Sequence, residues 1–103
     1  MVKKISSQEF QQAMDSPIAL VDFSATWCGP CRMLAPVLEE VAEEMSAQVN
    51  FYNVDIDENP DLATKYEVNT IPSLLILKNG KPVDVKIGFM PKANLLSYIQ
   101  SHL

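Results

Sequence analysis

The sequence lacks long apolar runs, clusters of basic residues and glycine-rich nucleotide-binding motifs. Its longest apolar runs, IALV and LLIL, are far too short to cross a lipid bilayer, and its first residues lack the apolar stretch of an export signal. Neither a GxGxxG fingerprint nor a P-loop occurs, which argues against a bound nucleotide cofactor. The net charge of -5 disfavours nucleic acid as a partner. We therefore expect a soluble, cytoplasmic protein that binds neither membranes nor nucleic acids.

The composition is otherwise that of an ordinary folded protein. Apolar residues make up 48% of the chain and charged residues 20%, which provides for a hydrophobic core and argues against disorder. The 103 residues contain no internal repeat, linker or low-complexity tract. We therefore predict a single domain over residues 1–103.

Strand and helix patterns alternate along the chain. The run IALVDFS, in which Asp22 is the only charge, predicts a strand covered on both faces. Apolar side chains at spacings of three and four over residues 31–45, with glutamates on the other side, predict a long amphipathic helix that Pro36 bends. The run VNFYNVDI predicts the next strand.

Local signals mark where the remaining elements begin and turn. Ser6, three residues before a glutamate, has the spacing of a capping box and starts a first short helix. Asn59 starts a further helix and Pro91 the last one. Asn79 and Gly80 predict a type I′ turn between the last two strands. The resulting order, βαβαβαββα, predicts an α/β fold with a mixed sheet and helices on both faces.

Both cysteines and the only tryptophan lie within the stretch ATWCGPC. We expect Cys28 in the first turn of the long helix, where free backbone N–H groups and the helix dipole favour a thiolate. Cys31 lies on the same helical face, roughly 5 to 6 Å away between Cβ atoms. Gly29 lets another backbone approach, and Pro30 is tolerated in a first turn. This spacing permits a reversible disulfide.

Three other uses of the two cysteines compete with redox chemistry. A structural disulfide across so short a loop would remove little entropy from the unfolded chain. A zinc site needs four ligands, and beyond the cysteines the chain offers only His102, so that a full site would require a dimer. Two buried, unreactive thiols are the third possibility. The spacing favours redox chemistry over all three.

Three segments together resemble the thioredoxin family. They are VDFSATWCGPC at residues 21–31, TIPSLLILKNG at residues 70–80, and Gly88. The likeness covers nearly the whole chain, and WCGPC is far more specific than an isolated CxxC pair. It implies the thioredoxin fold, with a central five-stranded mixed sheet in the order 1-3-2-4-5 and four flanking helices. It also implies a protein-disulfide reductase.

The resemblance assigns a role to each of three residues. Cys28 is the nucleophile that forms a mixed disulfide with the target, and Cys31, the less exposed thiol, attacks Cys28 to release the reduced target. Asp22 accepts the proton of Cys31, because burial raises the pKa of a carboxyl toward the range of a general base. From the sequence alone, a carboxylate exposed to water near a strand end is an equal possibility.

The resemblance also implies a shallow apolar docking surface. A cis bond between Ile71 and Pro72 faces the cysteines and exposes the backbone of Thr70 or Ile71 to an extended substrate strand, although most X-Pro bonds are trans. The resemblance places Trp27 on this surface. The other interpretation is that Trp27 is an aromatic residue of the core. The full set of expected lining residues is Trp27, Gly29, Pro30, Ile71, Pro72 and Gly88.

Two positions depart from common bacterial members of the family. Asn53 aligns with a lysine that in many thioredoxins lies close to the buried aspartate. Without that cation we expect the pKa of Asp22 to be higher here. Phe89 stands where a small residue is frequent, and we expect it to narrow the docking surface and to change which targets fit.

The resemblance implies partners rather than cofactors. A thioredoxin reductase supplies electrons, drawn from NADPH or from ferredoxin, and disulfide-containing proteins receive them from a monomer whose only redox group is the Cys28–Cys31 pair. One competing function is a related oxidant or isomerase, but such proteins usually have a histidine between the cysteines, where this chain has Gly29 and Pro30. Another is a binding module without turnover, which the intact Cys28, Cys31 and Asp22 argue against.

Overall fold

A five-stranded mixed sheet forms the centre of the computed structural model, which describes residues 1–103. The strands lie in the order β1-β3-β2-β4-β5, with β1, β3 and β2 parallel and β4 and β5 antiparallel to their neighbours. The elements are β1 (Val2–Lys4), α1 (Gln11–Met14), β2 (Ile18–Ser24), α2 (Gly29–Met45), β3 (Asn50–Asp55), α3 (Pro60–Lys65), β4 (Ser73–Lys78), β5 (Lys81–Ile87) and α4 (Lys92–Gln100). The predicted fold class, strand order and four helices are confirmed.

The central strand β2 is buried on both faces, as its apolar run predicts. Leu20 packs into a cluster formed with residues of α2 and α4 on one face of the sheet. Val21 and Phe23 pack into a second cluster, formed with residues of α1 and α3 on the other face. Because successive side chains of a strand point to opposite faces, one strand supplies both halves of the core.

Helix α2 begins two residues before Cys31, the first residue of its apolar periodicity. It starts at Gly29, and Cys28 is its N-cap residue, immediately before the first turn in which we expected it. The side chains of Leu34, Leu38 and other apolar residues are buried against the sheet, whereas the glutamates of the opposite side are exposed. The amphipathic pattern therefore fixes which side of α2 faces the core, and with it the orientation of Cys31.

The turn and cap signals place most of the other element boundaries correctly. Asn79 and Gly80 both have positive φ, 51° and 81°, as a type I′ turn requires. Asn59 is the N-cap residue of α3, and Pro91 is that of α4. The first helix is shorter than expected, because a 3-10 turn at Ser7–Glu9 precedes α1.

The first strand, β1, carries no pattern that assigns it to particular residues. It has three residues and pairs only with β3, at the edge of the sheet.

None of the helices combines the length and the apolar character needed to traverse a lipid bilayer.

We expect Gly80→Ala to destabilise the fold more than Gly88→Ala. Both glycines have positive φ, so an alanine at either position costs about 1 kcal/mol or more of unfolding free energy. At Gly80 the added Cβ would also lie 3.1 Å from the carbonyl oxygen of Met14, whereas at Gly88 it would meet no atom within 4 Å. Urea denaturation of both variants measures the difference, and equal losses would contradict the expectation.

Candidate active site

The two cysteines form a disulfide at the start of α2. Their Cα atoms are 5.3 Å apart, within the usual range for a disulfide, so the pairing that the CxxC spacing permits is present in the structure. Cys28 is 5% exposed and Cys31 is 4% exposed, so the two are buried almost equally. The expected lower exposure of Cys31 is therefore only marginal.

The backbone around Cys28 is arranged to receive negative charge. The N–H of Cys31 donates a hydrogen bond to Sγ of Cys28 at 3.2 Å. The N-cap position also places this sulfur at the positive end of the α2 dipole. When the disulfide is reduced, both features stabilise a Cys28 thiolate over the thiol.

A loop from the other half of the sheet faces the disulfide. The Ile71–Pro72 bond is cis, as the resemblance implies. The carbonyl oxygen of Ile71 lies 3.9 Å from Sγ of Cys28. The side chain of Ile71 packs against the small apolar cluster that contains both cysteines. The N–H of Gly88 donates to the carbonyl oxygen of Pro72 at 2.8 Å, which ties the end of β5 to this loop.

The expected docking residues differ in exposure. Trp27, Pro30 and Thr70 are exposed, whereas Pro72 is buried. Gly29, Ile71 and Gly88 are partly exposed. Pro72 therefore shapes the loop rather than contributing exposed surface, a distinction that its place in the sequence does not reveal.

Trp27 is an exposed residue and not a core aromatic. Its side chain is 66% exposed, and its indole Nε1 donates a hydrogen bond to Oδ2 of Asp57 at 2.8 Å. The sequence reasoning missed Asp57. The contact between Trp27 and Asp57 could have been expected, because β2 and β3 are parallel and the loops that follow their carboxyl ends meet at the same edge of the sheet.

Asp22 is a buried carboxyl on β2. It is 3% exposed, and burial raises its pKa from 3.8 to about 6. A hydrogen bond of 3.1 Å from Nδ2 of Asn53 to its Oδ2 opposes that shift. Its other oxygen, Oδ1, is buried with no hydrogen-bond partner. A water-exposed carboxylate at this position is thereby excluded.

Asp22 and Cys31 border the same cleft, which has a volume of about 330 Å³. The two residues come from different elements, β2 and α2, and only the folded sheet brings them together. The charged side chains of Lys4, Arg32 and Glu39 also line this cleft. A buried carboxyl and one thiol of the redox pair therefore share one space.

The structure contains no group of three histidine, cysteine, aspartate or glutamate side chains placed to hold a metal ion. His102, the remaining candidate ligand in the sequence, pairs with Asp84 at 2.9 Å, and the cysteines pair with each other. The residues of the alternative zinc site are therefore engaged elsewhere in this chain.

We expect Asp22→Asn to raise the stability of the protein at neutral and alkaline pH. Because the pKa of Asp22 is higher in the folded chain than its ordinary 3.8, folding favours the protonated form, and this stabilisation is lost as the pH rises through about 6. The uncharged asparagine should thus gain about 3 kcal/mol at pH 8 and little at pH 4. Urea denaturation at both pH values tests this, with the exposed Glu43→Gln as control. A gain independent of pH would contradict it.

Comparison with known proteins agrees with this geometry. The family model described as Thioredoxin matches residues 1–101. Thioredoxins of Staphylococcus aureus strains Mu50 and MW2 are each 47% identical over 102 residues, covering 99% of this chain and 98% of the relative. The crystal structure of chloroplastic thioredoxin z matches with a TM-score of 0.86 and 40% identity, covering 97% of this chain and 92% of that one. The chain belongs to the thioredoxin family of thiol-disulfide oxidoreductases, which reduce protein disulfides by dithiol–disulfide exchange.

Proposed function

We propose that this chain reduces disulfides of target proteins through three residues with separate roles. Cys28 attacks the target, Cys31 resolves the mixed disulfide, and Asp22 accepts the proton of Cys31. The observation that carries the proposal is the shared cleft, which brings the buried carboxyl of Asp22 and the second thiol of the pair into one space.

The first step forms the mixed disulfide. The Cys28 thiolate attacks one sulfur of the target disulfide, so that a bond forms between Cys28 and that sulfur while the target's own S–S bond breaks. The second target sulfur leaves as a thiolate and takes up a proton. The hydrogen bond from the Cys31 N–H and the N-cap position stabilise the Cys28 thiolate before the attack.

The second step releases the target. Cys31 gives its proton to the carboxylate of Asp22, and the resulting thiolate attacks Sγ of Cys28. The Cys28–Cys31 bond forms, the bond between Cys28 and the target breaks, and the target sulfur that Cys28 had attacked leaves as a thiolate and takes up a proton. Two electrons have then passed from the cysteine pair to the target. The step closes the same Cys28–Cys31 bond that the structure contains.

The surface around Cys28 docks the target. Exposed Trp27, which is hydrogen-bonded to Asp57, precedes Cys28 in the chain, and the carbonyl oxygen of Ile71 lies 3.9 Å from Sγ of Cys28. Thr70, in the loop of Ile71, is exposed, which suits backbone pairing with an extended segment of the target. Phe89 follows Gly88, whose N–H is bonded to the loop, and its 39% exposed ring narrows the surface and selects among targets.

The chain acts as one thioredoxin domain and as a monomer, and the three proposed reacting groups all come from a single copy. A thioredoxin reductase, linked to NADPH or to ferredoxin, returns the Cys28–Cys31 disulfide to the dithiol state. The protein works in the cytoplasm as an electron carrier between that reductase and disulfide-containing targets. These assignments rest on membership of the family.

We expect Cys31→Ser and Cys28→Ser to fail at different steps. Cys31→Ser retains the attacking thiolate but cannot resolve, so it should accumulate a covalent complex with a disulfide-containing protein. Cys28→Ser should form no such complex at the same exposure time. Non-reducing gel electrophoresis after mixing with oxidised insulin distinguishes the two, and a complex that dithiothreitol releases confirms the linkage. Equal trapping by both variants would overturn the order of the cysteines.

We expect Asp22→Asn to slow resolution of the mixed disulfide more than its formation. Loss of a general base typically costs a hundredfold or more, so resolution at pH 7 should fall by roughly that factor. The defect should shrink near pH 8.5, where a free thiol ionises without assistance. Rapid mixing with acid quench measures both steps, and equal slowing of formation and resolution would remove Asp22 from the proton-transfer role.

A further inference from the structure

Asn53 contacts three oxygen atoms on the strand that carries Asp22. It lies on β3 directly opposite Asp22 in the parallel register of β2 and β3. Its Nδ2 is within hydrogen-bond distance of Oδ2 of Asp22 (3.1 Å), the backbone oxygen of Asp22 (3.2 Å) and Oγ of Ser24 (2.8 Å). One amide thus spans both strands at the level of the buried carboxyl.

These contacts make the two oxygens of the Asp22 carboxyl unequal. Oδ2 accepts the hydrogen bond from Asn53, whereas Oδ1 is buried without any partner. A buried polar atom without a hydrogen bond costs free energy, so an arrangement that leaves one open calls for an explanation. A proton taken up on Oδ1 leaves the hydrogen bond from Asn53 to Oδ2 intact.

No charged side chain takes the place of Asn53 as a hydrogen-bond partner of Asp22. Lys4, Arg32, Glu39 and Asp55 line the same cleft from β1, α2 and β3. Nζ of Lys4 pairs with Glu58 at 3.0 Å, and the carboxylate of Asp55 accepts the backbone N–H groups of residues 57 and 58. The neutral amide of Asn53 is therefore the group that holds the Asp22 side chain.

We propose that Asn53 is a positioning residue for the reaction, which holds Oδ2 of Asp22 so that the open Oδ1 receives the proton of Cys31. This inference rests on the proton-transfer role proposed for Asp22. When Oδ1 carries the proton, Oδ2 becomes the carbonyl oxygen of the acid and still accepts from Nδ2, so the side chain keeps its orientation through the transfer. The bond to the ionised form is the stronger one, so Asn53 also favours the state that accepts the proton.

The test compares two substitutions with opposite electrostatic effects. Asn53→Leu keeps the branching of the side chain but is larger and donates no hydrogen bond, so the ionised carboxyl loses its partner. Asn53→Lys retains a donor and adds a cation. The matched control is Ser24→Ala, which removes the other side-chain partner of Asn53 on β2 and leaves the contact with Asp22 intact.

Two measurements are made on each full-length variant. The first is the titration of the Asp22 carboxyl carbon by NMR in the oxidised protein, and the second is the pH dependence of mixed-disulfide resolution in rapid-mixing experiments. For Asn53→Leu we expect both midpoints to rise by about one pH unit, with a several-fold lower resolution rate at the alkaline plateau. For Asn53→Lys we expect both midpoints to fall below the wild-type value. Ser24→Ala should retain the wild-type midpoints.

The outcomes separate this inference from the proposed function. If Asp22→Asn slows resolution selectively but neither substitution of Asn53 moves the midpoints, the positioning role is wrong and the role of Asp22 stands. If both substitutions move the midpoints in the same direction, Asn53 acts only through local structure, which also overturns the inference. If Asp22→Asn leaves resolution unchanged, the proposed function fails, and the inference fails with it.

Discussion

The burial of β2 on both faces is the constraint on which the rest of the structure depends. Its alternating side chains belong to two separate hydrophobic clusters, so the strand cannot shift by one residue without moving each set to the wrong face. This fixed register determines where the strand ends and the loop to α2 begins. It therefore places Cys28 at the helix N-terminus, and it places Asp22 inside the sheet rather than at its surface.

The same burial gives the site its chemistry at a cost in stability. A carboxylate removed from water is disfavoured, and for Asp22 this raises the pKa to about 6. The folded chain would be more stable at neutral pH with an uncharged residue there. A thiol proton, however, passes more readily to a carboxylate whose pKa lies closer to that of the thiol. The destabilising position is thus the one that suits the proposed base, as expected where function and stability compete.

Local signals predicted the parts of the fold that depend on neighbours in the chain. The apolar periodicity of α2 and the turn at Asn79 and Gly80 are properties of a few adjacent residues, and both are confirmed. The three-residue strand β1 has no such signal, because it forms only by pairing with β3. Leu103 lies at helical spacing from the buried Ile99, yet it falls beyond the end of α4 and is exposed. Periodicity cannot show where a helix stops.

The site itself depends on contacts between residues far apart in the sequence, so the sequence alone predicted less of it. The spacing of Cys28 and Cys31 predicted their pairing, but the cis bond before Pro72 followed from the family resemblance. The contact between Trp27 and Asp57 arises because two parallel strands end at one edge of the sheet.

Asn53 illustrates the limit of residue-by-residue comparison most clearly. The resemblance indicated a missing cation near Asp22, and hence only a loss. The structure shows a neutral amide bonded to one oxygen of that carboxyl while the other oxygen has no partner. A cation would attract both oxygens of the carboxyl, whereas a hydrogen-bond donor of fixed direction distinguishes between them. Replacing a cation by a directed hydrogen bond therefore changes what the neighbour of Asp22 contributes: less stabilisation of the ionised form and, in the proposed transfer, a defined oxygen for the proton.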